Sequence, residues 1–366
     1  MESYIKTANM QAGYQKKVII KDVNINIEKG QIITVIGPNG AGKSTILKSM
    51  ARQLQLIGGS IYLDGKDIYN ITASDLSKKM AIVFTERLKG DMMTCMDVVA
   101  TGRYPYTGRF GTLSEEDNKI VNEAMELVNV SNLKDYDFDK ISDGQRQRVM
   151  LARAICQEPE VIIMDEPTSF LDIKHKIEFM SLLQELRNKK ELTVIMSVHE
   201  LELAQRVSDK IVCLNGDTVD RIGTPDEIFV DGYIKNLFHI ETGNFDEEDT
   251  CMELKKPEGM AETFVIAGGG KGRHIYRYLQ RNNIPFITGI IYDNDLDYPV
   301  ARALSSKVIC EKAFEEVNED KVNEAIRVLK DCKHVISCKE SFGTFEKFNE
   351  EILTYAKGNG IKITIM

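Results

Sequence analysis

Gln31-Ile32-Ile33-Thr34-Val35-Ile36-Gly37-Pro38-Asn39-Gly40-Ala41-Gly42-Lys43-Ser44 is the stretch that decides the fold. Its first half is a nearly continuous apolar run, the pattern of a strand covered on both faces. Its second half, Gly37 to Ser44, fits G-x-x-x-x-G-K-[ST], and the residues that follow, STILKSMARQL, read as a helix. Glycines let successive backbone N–H groups turn inward around a phosphate, and the N-terminus of the next helix adds positive potential. Lys43 can reach the β- and γ-phosphates, the Ser44 hydroxyl can ligate Mg²⁺, and Thr45 stands beside it in the same cradle.

Outward from this loop the chain keeps alternating between strand and helix. Residues 17–36 read as strand material: Val18-Ile19-Ile20 and DVNINI alternate like a half-buried antiparallel strand before the buried run begins. SIYLD (60–64) and AIVF (81–84) continue the strand reading. From about residue 85 to 158 the pattern is mainly helical, most clearly in EEDNKIVNEAMELVNV. Strand runs return at 160–166, 192–198 and 209–223. Buried strands separated by helices predict a mainly parallel α/β core of the P-loop NTPase class, with residues 86–158 as a helical insertion.

Two acids end one of these strands. The four apolar residues from Val161 to Met164 bring Asp165 to the end of a buried run, where it can hold Mg²⁺ through water. Glu166 beside it can lie near the γ-phosphate and polarise an attacking water as general base. Alone, the pair would read as solvated strand-end carboxylates; the phosphate loop upstream gives them a partner.

Composition narrows the function classes. The 366 residues are 43% hydrophobic and 28% charged, as in ordinary globular proteins. A net charge of −9 speaks against non-specific nucleic-acid binding, which needs a basic surface. The seven cysteines are irregularly spaced and form no C-x-x-C, which reads as scattered reduced thiols. The opening MESYIKTANMQAG lacks the apolar core of a signal peptide, and no run reaches the length of a membrane span. Another chain would have to supply any membrane part.

Further motifs carry a resemblance. Ile141-Ser142-Asp143-Gly144-Gln145, followed by Arg146-Gln147-Arg148, is similar to the LSGGQ signature of ABC-type ATPases and stands upstream of Asp165 as that family requires. Ser169-Phe170-Leu171-Asp172 resembles the family's D-loop, His199 its switch histidine, and Tyr14 the upstream aromatic that stacks on adenine. The resemblance covers about residues 1–240. It implies binding of ATP and Mg²⁺ by a homodimer, with Ser142, Asp143, Gly144 and Gln145 closing on the γ-phosphate held by the other copy and Asp172 contributing at the same interface. ATP binding would close the dimer and hydrolysis would open it.

Two departures stand out. Asp143 replaces the glycine at the signature's third position and is expected to point away from the phosphate. The strand AIVF ends at Thr85, Glu86 and Arg87, where the family has the glutamine of the Q-loop; Thr85 or Glu86 takes its place near Mg²⁺.

A single ATPase unit without membrane helices or sustained heptads is most like an importer ATPase or an iron–sulfur assembly ATPase. Thr101-Gly102-Arg103-Tyr104-Pro105-Tyr106 and LSEEDNKIVNEAMELVNV resemble the ATPases of iron–siderophore, haem and vitamin B12 importers. That resemblance implies a peripheral protein at the cytoplasmic face of the membrane. Permease subunits would dock on its helical insertion, and a substrate-binding lipoprotein would act further out. An iron–siderophore is the expected cargo; haem, vitamin B12 and a soluble assembly role are the alternatives. Arg103 and Tyr104 are expected to pack the insertion.

After residue 240 the character changes. Residues 241–261, polar and acidic, are expected to connect, and 262–366 to form a small accessory α/β, Rossmann-like domain with a regulatory or dimerising role. Gly268-Gly269-Gly270-Lys271-Gly272, between the strand TFVIA and the helix RHIYRYLQ, has the outline of an anion site without dinucleotide spacing. Asp293, Asp295 and Asp297 alternate nearby and read as a solvated turn.

Overall fold

In the computed structural model, which describes residues 3–84, 92–108 and 111–366, the chain opens with an antiparallel sheet. β1 (Ile5–Tyr14) turns into β2 (Lys17–Val23) through Gln15 and Lys16, both at positive φ, the twist that a two-residue hairpin turn demands. β3 (Asn26–Ile27) returns alongside β1. β4 (Ile32–Ile36), buried at every position, departs to a second sheet and ends at the glycine loop before α1 (Lys43–Met50). β5 (Gly58–Leu63) and β6 (Lys66–Asp67) complete the first sheet, ordered β2-β1-β5-β6 with β3 against β1.

Next comes α2 (Ala73–Lys79), which leads into β7 (Met80–Val83). The insertion follows with α3 (Cys95–Ala100), α4 (Glu115–Leu127) and α5 (Asp143–Cys156). Thr94, Ser114 and Ser142 cap these helices, each with Asp97, Asp117 or Gln145 reaching back to close a capping box. Gly102 lies so close to α5 that a Cβ there would fall 2.3 Å from the Arg153 carbonyl oxygen. Beside it, buried Arg103 is locked by Asp117 (2.8 Å), the Cys156 carbonyl (2.9 Å) and Glu158 (2.8 Å), and it stacks on Tyr106. Arg103 thus packs the insertion as expected, whereas Tyr104 is exposed.

The remaining elements alternate: β8 (Val161–Asp165), α6 (Ile173–Lys190), β9 (Thr193–Ser197), α7 (Leu201–Val207), β10 (Lys210–Asn215), β11 (Thr218–Gly223), α8 (Pro225–Ile228) and α9 (Tyr233–Leu237). The second sheet runs β11-β10-β4-β9-β8-β7, parallel except for the β10–β11 hairpin. β4, β8 and β9 are buried throughout, which is what their unbroken apolar sequences require. Ile33, Val35, Ile163 and Ile195 pack with Ile46, Leu47 and Met50 of α1 and with the first sheet in one core. No helix of the described residues is long and apolar enough to cross a membrane.

Contacts divide the chain into two compact units, Met1–Phe238 and His239–Met366. Residues 241–261, expected to connect, hold a hairpin of β12 (Asn244–Asp246) and β13 (Cys251–Glu253) within the second unit. The unit continues as β14 (Thr263–Ile266), α10 (Arg273–Arg281), β15 (Phe286–Tyr292), α11 (Tyr298–Leu304), β16 (Lys307–Glu311), α12 (Glu319–Leu329), β17 (His334–Ser337), α13 (Lys347–Gly358) and β18 (Lys362–Ile365). Its all-parallel sheet is ordered β16-β15-β14-β17-β18. α10 and α11 supply the core on one face, α12 and α13 on the other, which makes it doubly wound.

The glycine loop of this unit differs from the anion site its sequence outlines. The amides of Gly268 and Gly272 donate to Oδ2 of Asp297, both at 2.9 Å, and Arg273 N–H donates to its Oδ1 at 3.1 Å. Gly269 N–H donates to Asp295 at 2.8 Å. Asp297 is fully buried, so the expected solvated turn is instead an internal ligand that fills the loop.

Candidate functional site

The first unit brings its phosphate loop and its acids to the same ends of neighbouring parallel strands. β4 delivers the loop, β9 lies next to it, and β8 lies next to β9. Gly37 has no room for a side chain: a Cβ would sit 2.5 Å from the Leu214 carbonyl oxygen on β10. Gly42, at φ 91°, is left-handed at the start of α1, a conformation that favours glycine. Pro38, Asn39, Gly40 and Ala41 make the loop between them.

Lys43 is buried, and its Nζ donates to the carbonyls of Gly37 at 2.7 Å and Pro38 at 3.1 Å. Burial pushes this ammonium below the usual lysine range, while Glu166 and Asp165 act in the opposite sense. The positive charge therefore stands within the field of both acids. Ser44 is half-buried and Thr45 buried in the first turn of α1.

Asp165 is held by a residue that the sequence reading passed over. Ser197, its register partner on β9, donates from Oγ to Asp165 Oδ1 at 2.6 Å and accepts the Glu166 N–H at 3.0 Å. Glu166 itself leaves the strand at φ 50°, a left-handed conformation uncommon for any residue but glycine, asparagine and aspartate. Its Oε1 lies 2.6 Å from Nε2 of His199, and its Oε2 accepts from Ser169 Oγ at 3.2 Å. A carboxylate accepts, so the hydrogen in the first contact sits on Nε2. Lys43, Asp165, Glu166 and His199 are thus assembled from three strand ends. The only sequence signal for Ser197 is a hydroxyl closing an apolar strand two residues before His199.

The signature residues are arranged by their helix start. Ser142 Oγ accepts from Gln145 N–H at 3.3 Å, and Gln145 Oε1 accepts from Ser142 N–H at 3.0 Å. Asp143 pairs with Arg146, one turn on, at 3.2 Å. Gly144 lies against the 170–171 turn, where a Cβ would come 3.4 Å from the Phe170 carbonyl oxygen. Asp172 caps α6, accepting from His175 N–H at 2.9 Å, and this bond, with the His175 ring, draws its carboxyl below the usual range. Phe170, Ile173 and Ile177 are exposed along this turn and helix. Tyr14, 44% exposed, stands at the β1–β2 turn. Thr85, with Glu86 and Arg87, lies outside the described residues.

Comparison with known proteins meets the same regions. A family profile described as ABC transporter matches residues 20–169, and that of the MJ0874 family matches 286–366. The uncharacterized ABC transporter ATP-binding protein MJ0873 of Methanocaldococcus jannaschii is 43% identical over 286 residues, 78% of this chain and 99% of its own length. The iron(3+)-hydroxamate import ATP-binding protein FhuC of Bacillus subtilis is 38% identical over 237 residues, 65% of this chain and 88% of its own. Among solved structures, an inward-facing putative metal-chelate type ABC transporter superposes with a TM-score of 0.58 at 25% identity, covering 69% of this chain and 96% of that one. The dimeric, ADP- and phosphate-bound cassette MJ0796 does so at 0.54 and 27%, covering 60% and 98%.

Proposed function

Because the chain belongs to the ABC transporter ATP-binding proteins, we propose that its ATPase site powers the import of a metal chelate, an iron–siderophore in particular, through membrane permease subunits. The observation that carries the reading is the convergence of buried Lys43, Ser197-held Asp165 and the Glu166–His199 pair at the ends of adjacent strands.

The roles follow from chemistry. Lys43 and the backbone N–H groups of residues 39–45 bind the β- and γ-phosphates of ATP. Tyr14 offers its ring to the adenine. Glu166 accepts a proton from the attacking water, and His199 holds that carboxylate while facing the γ-phosphate. The Ser44 hydroxyl and the Asp165 carboxylate are hard oxygen donors, the set that suits Mg²⁺, and Thr85 would join them. The ion, when bound, neutralises charge on the phosphate oxygens.

A homodimer completes the site. Ser142, Gly144 and the N–H groups at the start of α5 form a second anion clamp for the nucleotide on the opposite copy. Asp143, tied to Arg146, stays out of that clamp. The exposed Phe170, Ile173 and Ile177 give the partner copy an apolar surface to cover. Permease subunits dock on the insertion around exposed Tyr104, at the cytoplasmic face of the membrane, with a substrate-binding lipoprotein acting on the far side. The cargo reading rests on the import relatives and on the metal-chelate transporter.

The test is affinity capture of the tagged full chain from detergent-solubilised native membranes, with ATPase assays on the captured complex. Co-purification of a polytopic permease and stimulation of hydrolysis by a ferric-siderophore-loaded binding protein is the expected result. Capture of soluble assembly proteins alone would overturn the importer reading and leave the ATPase standing.

A further inference from the structure

A cavity of about 1060 Å³ opens in the C-terminal unit, at the carboxyl ends of β15 and β16 and beside α12 and α13. Ligands of doubly wound sheets sit at this end of the strands, and the volume is that of a site for a small organic molecule. Four aromatic rings line it. Tyr292 and Phe348 meet edge to face with centroids 6.4 Å apart. Phe314 and Phe345 stand at the mouth, 97% and 86% exposed. Phe314 is held there at φ 65°, a conformation that few bulky residues adopt. Val322 and Ile326 of α12 add apolar wall.

The charge around these rings has one sign. Glu315, Glu316, Glu319 and Glu351 face a single cation, Lys347, among the described residues that line the cavity. Among the described residues none of the four is in an ion pair, although Lys-to-Glu bridges occur elsewhere on the same unit at Lys307–Glu324 and Lys333–Glu262. Nearby Glu311 has an Oε2 shut off from solvent with no hydrogen-bond partner among the described residues. Burial first, then the charges of Glu311 and Glu316, pushes the Tyr292 hydroxyl above its usual range, which places both acids within its field.

We propose that this cavity binds a small amphipathic organic cation, an amine or quaternary ammonium carrying an apolar or aromatic body. The rings receive the body and face the cation with their negative π surfaces, and the glutamates supply the counter-charge. A phosphate or nucleotide is repelled by the same carboxylates. A bare metal ion is disfavoured too: among the described residues no group of three histidine, cysteine or carboxylate side chains converges to hold one.

The experiment uses the full chain and two xanthene dyes, cationic rhodamine 6G and anionic fluorescein, read by fluorescence anisotropy. Saturable binding of rhodamine 6G that weakens with salt, and no saturation by fluorescein, is expected. F314A/F345A, which alters only exposed rings, is expected to weaken rhodamine binding about tenfold or more, a loss within the range of cation–π and aromatic contacts. E315Q/E316Q/E319Q/E351Q is expected to abolish the preference for the cation. Equal binding of both dyes, binding untouched by both variants, or no saturation up to about 1 mM dye would overturn the proposal.

Discussion

Nε2 of His199 lies 2.6 Å from Oε1 of Glu166, while Ser169 donates to the other oxygen of the same carboxylate at 3.2 Å. A base held at both oxygens keeps its lone pairs aimed in fixed directions. Replacement by the isosteric amide retains the shape and removes the basicity. Glu166→Gln is therefore expected to lower ATP turnover by about 10²- to 10⁴-fold and to leave nucleotide binding in place. Phosphate release and size-exclusion chromatography with ATP check this. The variant is expected to accumulate as an ATP-bound dimer; turnover near that of the parent would remove Glu166 from the role of base.

Ser197 serves Asp165 and Glu166 together, so its removal separates metal binding from phosphate binding. Ser197→Ala is expected to raise the Mg²⁺ needed for half-maximal hydrolysis by about 10-fold, the usual effect of losing a group that orients a metal ligand. ATP binding measured without Mg²⁺ should stay close to that of the parent. Superimposable Mg²⁺ titrations for the two proteins would show that Asp165 needs no such support.

The insertion carries its own pH signature. The Ser114 hydroxyl and N–H, and after them the Arg103 guanidinium, hold the Asp117 carboxyl down to about 2. Because its folded value lies below that of the unfolded chain, its contribution is complete above about pH 4 and is lost as the pH falls towards 2. The loss amounts to the order of 2 kcal/mol. Asp117→Asn is expected to lower the thermal midpoint at pH 7 and to flatten stability between pH 4 and 2. Denaturation series across that window, compared with the parent, decide the point.

These relationships were legible in the sequence to different depths. The phosphate loop, the strand-end acids and the buried strands declared themselves because each is written in contiguous residues. β1 did not: a left-handed Asn9 bulges it and breaks the alternation that marks a strand. Ser197 acts across strands and is marked only by its place at the end of an apolar run, and Ser169, though part of the D-loop resemblance, carries no local sign of its bond to Glu166. The aspartates near residue 295 look like a solvated turn for the same reason, since their partners are amides some 25 residues upstream, at Gly269 and Gly272.

Sheet order also says where the chain can be cut. β14 is the central strand of the second unit, and both of its neighbours, β15 and β17, lie at or beyond residue 286, where the MJ0874 family profile begins. A chain ending at residue 285 keeps Phe264, Val265, Ile266 and Tyr276, all buried in the intact unit, with no sheet to cover them. Residues 1–238 are expected to stay monomeric without nucleotide and to bind little 1-anilinonaphthalene-8-sulfonate, whereas residues 1–285 are expected to bind the dye strongly and to aggregate. Equal behaviour of the two truncations would mean that β14 does not depend on its neighbours.

Asp297, buried against the Gly268 and Gly272 amides, gives this second unit a character of its own. A carboxylate carried on the same chain reaches those amides without surrendering the translational freedom that a dissolved anion loses on binding. Folding sets its effective concentration at the turn, far above that of a solute anion at millimolar levels. What would be a receptor in a nucleotide-binding sheet has become a latch. It fastens the turn after β14 to the loop after β15, and its state follows the fold of the domain instead of the composition of the surrounding solution.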